Sequence, residues 1–188
     1  MILPIVAFGT PVLKKKTKKI DEDYEGLSEL IDNMFETMHE ASGVGLAAPQ
    51  IGKSIRLFIV DASPFEEDDP ELKDFQQVFL NPKILEEEGE EWSFNEGCLS
   101  IPHIREDVRR KPKIRIRYQD EHFITHEEVF EGIAARIIQH EYDHIEGVLF
   151  IDYLSPLKKR LLKRKLKDIS KGNITVDYRM KFPQKKGR

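Results

Sequence analysis

Cysteine is almost missing from this 188-residue chain, where Cys98 stands alone. One cysteine cannot close an intrachain disulfide, so a disulfide scaffold is excluded and stability has to come from a packed core. No stretch suggests a membrane span or a secretory leader. The apolar run at residues 2–8 is too short to cross a bilayer and has no basic segment before it, so it reads as a strand or extended segment. Internal repeats and dividing linkers are absent too, which makes residues 1–188 a single domain. A hydrophobic content of 39% is ordinary for a globular body of this length under a charge-rich surface. Together these absences point to a cytoplasmic domain.

Charge is present but unevenly placed. Residues 155–188 carry 13 Lys or Arg against 2 Asp or Glu, a net of +11, whereas residues 1–154 carry 17 against 32, or −15. In the basic part, Leu157, Leu161, Leu162, Leu166 and Ile169 recur at helical spacing among lysines and arginines, which predicts an amphipathic helix with one face on the body. Taken alone, such a helix reads as a solvated face balancing an acidic body.

The chemistry concentrates in Gln139-His140-Glu141-Tyr142-Asp143-His144, an H-E-x-x-H pattern. On a helix its two imidazoles lie one turn apart on one face, with Glu141 beside them to serve as a base toward water. Val129, Ile133 and Ile137 precede the histidines at helical spacing and Gly147 follows as a stop, so the motif is expected on a helix with residues 148–151 as a short buried segment. Catalytic sites usually take three protein ligands and leave one position open, so two histidines need a third partner. Cys98, in Glu96-Gly97-Cys98-Leu99-Ser100, is a candidate; on spacing alone it reads equally as a buried small residue or a reactive thiol.

Three separated segments together resemble the peptide deformylases: Gly43-Val44-Gly45-Leu46-Ala47-Ala48-Pro49-Gln50, then Glu96-Gly97-Cys98-Leu99-Ser100, then Gln139-His140-Glu141-Tyr142-Asp143-His144, in that family's order. The resemblance runs through Phe150 and weakens at residues 62–76 and beyond Pro156. It implies removal of the formyl group from the initiator methionine of nascent chains by a single catalytic domain. Cys98, His140 and His144 would bind one divalent metal, with Fe2+ favoured and Zn2+, Ni2+ or Co2+ compatible with the donors. Glu141 would be the general acid/base, with the Gln50 side-chain amide and the Leu99 N–H as oxyanion donors.

The segment from Gly43 through Val44 and Gly45 would let a substrate backbone lie close and pair along its edge, although by itself it reads more readily as a small-residue packing turn. Val44, Phe94, Ile133 and Ile137 are candidates for an apolar methionine pocket. Glu96 and Arg105 complete the expected substrate contacts, and Arg110 is expected to pair with Asp143. His39, His103, His122 and His126 have no ligand spacing and read as surface or locally bonded residues. For an enzyme of nascent chains, the basic helix is where docking on ribosomal RNA is expected. Ser42, where some relatives carry an acidic residue, and a strand-like tail after the basic helix depart from the family pattern.

The other readings are a zinc endopeptidase taking Glu146 or Asp152 as third ligand, and an RNA-binding module with a structural metal. No histidine follows His144, and one cysteine is too few for the usual closed structural site. The expected architecture is α+β, with antiparallel strands packed around a central helix carrying the motif, a basic C-terminal helix and a short terminal strand. Residues 21–39 show helical periodicity. Residues 56–60, 77–80 and 113–118 read as strands, Asn81-Pro82 and Asp120-Glu121 as turns, residues 66–71 as an acidic surface loop, and residues 173–178 as a terminal edge strand.

Overall fold

The computed structural model describes residues 1–183. Twelve regular elements follow in order: β1 (Ile5–Val6), α1 (Leu27–Glu40), β2 (Gly45–Ala47), β3 (Leu57–Asp61), β4 (Gln76–Glu88), β5 (Trp92–Cys98), β6 (Ile101–Arg110), β7 (Lys113–Gln119), β8 (Thr125–Glu131), α2 (Gly132–Glu146), α3 (Pro156–Lys171) and β9 (Met180–Lys181). β2, β3, β4, β7 and β8 form an antiparallel sheet in that order, while β5 pairs with β6 as a separate hairpin and β1 pairs in parallel with β9.

β3 explains the layering. All five of its residues are buried, and successive side chains point to opposite faces. Phe58 and Val60 join a cluster with Phe79, Ile116 and the α2 residues Ala135 and Ile138. Leu57 and Ile59 join Met34 and Met38 of α1 on the other face. A strand buried on both faces reads as a continuous apolar run, which is why residues 56–60 are legible without alternation. α2 and α1 thus cover the two faces of the sheet, and a third cluster joins the β5–β6 hairpin to α3, to residues 6–13 and to Met180 and Phe182.

The motif helix begins at Gly132, not before Val129. Val129 lies in β8 opposite Arg115 and is 49% exposed, so its helical spacing from Ile133 is coincidental. Gly132 has φ 60°, a left-handed value that glycine adopts without strain, and it turns the strand into the helix. Asn81-Pro82 is not a terminating turn either. It lies within β4 where the register with β7 shifts, a bulge that tolerates a proline lacking its N–H. The Asn81 side chain is held there by the backbone N–H and C=O of Ile20.

The tail differs as well. Ile174, Val176 and Tyr178 are half-buried between exposed neighbours, as their alternation suggests, but pairing with β1 comes later, through Met180 and Lys181. α3 is capped by Ser155, whose hydroxyl accepts from Lys158 N–H, and by Gly172 in the left-handed region. Leu162 and Ile169 form its buried stripe, while Leu157 and Leu161 face outward at 59% and 71% exposure. Residues 148–151 run into a 3-10 turn at Phe150–Tyr153, with Leu149, Phe150 and Ile151 buried. Two such turns, Ser63–Phe65 and Pro70–Leu72, flank the acidic stretch.

Candidate active site

Two elements far apart in sequence build the centre. α2 presents His140 and His144 with ring centroids 5.1 Å apart, and the end of β5 brings Cys98 Sγ to 3.3 Å from His144 Nε2. One ligand atom from each of the three lies within 4.8 Å of the other two. His140 Nδ1 is 2.9 Å from Glu96 Oε1. An ionised carboxylate can only accept, so Nδ1 is the donor there and Nε2 is the ring nitrogen that a metal would take.

Glu96 is the hub of this arrangement. Its carboxylate accepts from Arg110 at 2.8 and 3.0 Å and from Arg136 at 3.0 Å, and Arg110 continues to Asp143 at 2.7 Å. Burial works against its charge, but the bonds from His140 and Arg110 outweigh that and hold its pKa down at about 2. Glu96 therefore acts on His140 and on two guanidinium groups, while the residue also lines the cleft described below, as expected. The expected Arg110–Asp143 pair is present, and Tyr153 OH donates to the same carboxylate at 2.9 Å. Arg136 went unrecognised in the sequence. It reaches from α2 to Val108 O at 2.9 Å and Trp92 O at 2.7 Å and stacks on Trp92, tying the cysteine hairpin to the histidine helix. Its signal was an arginine inside the apolar run at residues 133–138.

Glu141 is buried, and its Oε2 has no hydrogen-bond partner. Desolvation raises its pKa to about 7. Gly45 leaves it room, because a Cβ there would stand 2.7 Å from the Glu141 Cδ. Gln50 is held with its carbonyl accepting Ala47 N–H at 2.9 Å, which turns Nε2 toward Cys98 Sγ at 3.4 Å and Ser100 Oγ at 3.3 Å.

A cleft of about 730 Å³ opens onto this centre between β2 and β5. Gly43, Val44, Gly45, Phe94 and Ile137 line it as expected, as does Leu99. Ile133 does not, because one helical turn before Ile137 it packs on the sheet cluster instead. Arg105 lines the cleft with its guanidinium bonded to Asn95 at 2.8 and 2.9 Å. Phe65, just before the acidic stretch, and residues 175–178 of the tail also line it; the tail was expected only as an edge strand. The other histidines stand as expected where contacts define them: His39 on Asp61 and His126 on Asp120, each at 2.7 Å, and His103 on Thr175 O.

The polypeptide deformylase family model matches residues 2–160. The chain belongs to the polypeptide deformylase family. It is 59% identical to a peptide deformylase of Christiangramia forsetii over 99% of this chain and 98% of that protein. The peptide deformylase of Flavobacterium johnsoniae is 58% identical over the full length of both. Among solved structures, the peptide deformylase of Thermus thermophilus superposes with a TM-score of 0.81 at 40% identity, covering 92% of this chain and 99% of that one. That of Legionella pneumophila gives 0.80 at 40% identity, over 92% and 98%. Deformylases are hydrolases of peptide N-formyl groups, and this chain is an enzyme of that kind. Its fold is accordingly the mixed, mostly antiparallel α/β arrangement described above.

Proposed function

We propose that the chain removes the N-formyl group from the initiator methionine of nascent polypeptides, using one divalent metal held by Cys98, His140 and His144. The observation that carries the reading is three convergent ligand atoms beside the buried Glu141 carboxylate, whose Oε2 has no hydrogen-bond partner. A thiolate and two imidazoles suit ferrous iron, our first choice, as well as zinc, nickel or cobalt. When bound, such a metal supplies Lewis-acid polarisation of the formyl oxygen and lowers the pKa of water toward roughly 7.

The chain's own groups do the rest. Glu141, with a pKa near neutrality, takes the proton of the attacking water and returns it to the leaving amine, so formate and a free N-terminus are released. The Gln50 amide and the Leu99 N–H receive the negative oxygen of the tetrahedral intermediate. Gly43, Val44 and Gly45 offer a strand edge for the peptide backbone, and Val44, Phe94 and Ile137 offer apolar surface for the methionine side chain. Arg105 lies within reach of the peptide beyond that residue.

The test is formate release from a formyl-methionyl tripeptide by anaerobically prepared, metal-quantified protein. Formate from that peptide and no cleavage of its unformylated counterpart is expected; cleavage of the unformylated peptide alone would indicate an endopeptidase. We further propose a single catalytic domain over residues 1–188, cytoplasmic residence, and docking on the ribosome through α3. No helix among the described residues is long and apolar enough to cross a membrane. Lys159, Lys163 and Lys167 are exposed on α3, and replacing all three by Glu is expected to abolish ribosome binding at low salt. Unchanged binding would contradict that role. The outermost basic residues, Lys185, Lys186 and Arg188, lie outside the described residues.

A further inference from the structure

The tail beyond α3 returns to the catalytic cleft. Gly172 ends the helix, Thr175 O is taken by His103 Nε2 at 2.7 Å, and the chain then pairs with β1. In that pairing Ile5 N–H donates to Arg179 O and Ala7 N–H to Lys181 O, each at 2.9 Å. Between these two anchors residues 175–178 line the cleft, and the Tyr178 hydroxyl donates to Leu99 O at 2.7 Å.

Leu99 and Ser100 form the turn between β5 and β6, where the register shifts after Gly97. That turn carries Cys98 at one end and the Leu99 N–H assigned to the oxyanion. Ser100 is pinned twice, its carbonyl by Phe8 N–H at 2.8 Å and its hydroxyl by Gln50 Nε2 at 3.3 Å. For the Leu99 carbonyl, the contact that fixes it from outside the hairpin is Tyr178. A two-residue turn with a free carbonyl can rotate its peptide planes, and a donor misplaced by even about 1 Å forfeits much of its stabilisation of a transition state.

We propose that Tyr178 is a positioning residue for deformylation, holding the Leu99 turn so that its N–H stays aimed at the developing oxyanion. The inference rests on the function proposed above, and it assigns the strapped tail a part in catalysis. Tyr178 acts through the Leu99 carbonyl that its hydroxyl bonds. Its loss is felt in the transition state, where the oxyanion forms, and little in peptide binding.

The test compares wild type, Tyr178→Phe and Arg179→Ala, each metal-quantified, by steady-state kinetics on a formyl-methionyl tripeptide and by amide hydrogen exchange across residues 96–101. Arg179→Ala removes a tail contact to Ile2 O without touching Leu99. Tyr178→Phe is expected to lower kcat roughly tenfold, short of the 10²–10³ lost with an oxyanion donor outright. KM should stay within about twofold, and exchange should quicken in the 96–101 segment with metal content unchanged. Arg179→Ala should keep wild-type kcat. A Tyr178→Phe kcat equal to wild type overturns the inference alone. An equal loss in both variants, or a loss carried by KM and melting temperature, also overturns it, because the tail then acts only as packing. A wild-type protein that releases no formate overturns the proposed function and this inference with it.

Discussion

At the scale of single residues, Glu96 decides more than its position in a motif suggested. It joins His140, Arg110 and Arg136 in a buried network whose charges are balanced only while it is ionised. Glu96→Gln should weaken metal binding by about 10–100-fold, since the carboxylate fixes the ring and tautomer of His140. It should also cost about 3 kcal/mol of stability, because two buried guanidinium groups lose their shared partner. Metal titration and denaturant unfolding of the apo-protein separate these two effects. Asp61, at the end of β3, offers a pH-dependent counterpart. Burial opposes its charge, yet bonds from Gln76, Ser63 and His39 outweigh that and lower its pKa. A carboxylate with a depressed folded pKa stabilises the fold above its unfolded pKa of about 3.9, and loses that contribution as pH falls through the folded value. Asp61→Asn should therefore reduce melting temperature at pH 7, and the gap to wild type should close only as pH falls below about 3.9 and on through the lowered folded pKa, which thermal melts across that range would show.

At the scale of elements, what was legible in the sequence depended on how local the signal was. His140 and His144 need only one helical turn to converge, so α2 and its pair of ligands could be read directly. The β5–β6 hairpin could not. Its inward positions include Glu96 and Arg110, paired charges where alternation would demand apolar residues, so the period-2 pattern is broken by the network that makes the site. Val129 failed in the opposite sense, an outward strand residue that happened to fall on a helical period. For residues 173–178 the alternation was real, but the ladder depended on where β1 lies, which no local pattern encodes. α3 was legible through its leucines, and its start rests on a cap that can be tested. Ser155→Ala should cost about 1 kcal/mol in denaturant unfolding with formate release unchanged, since Ser155 lies away from the cleft.

At the scale of the whole molecule, the sheet and its two helices form one layer stack, and the cysteine hairpin is fastened to it. The fastening is made by Arg136, Arg110 and Glu96 across the buried face, by α3, and by the paired strands β1 and β9. This arrangement lets a thiolate from the hairpin meet imidazoles from α2 while a cleft for an extended peptide remains between β2 and β5. It follows that metal binding and catalysis are separable by substitution, because the ligands bridge hairpin and helix whereas Glu141 lies wholly on α2. The most direct measurement of the central claim is metal content and formate release measured together for wild type, Cys98→Ser and Glu141→Ala. The account predicts one divalent metal per chain in wild type and Glu141→Ala, depleted metal in Cys98→Ser, and formate release lost in both variants, by about 10²–10⁴-fold for Glu141→Ala. A Cys98→Ser protein that keeps its metal and its activity, or a Glu141→Ala protein as fast as wild type, would contradict it.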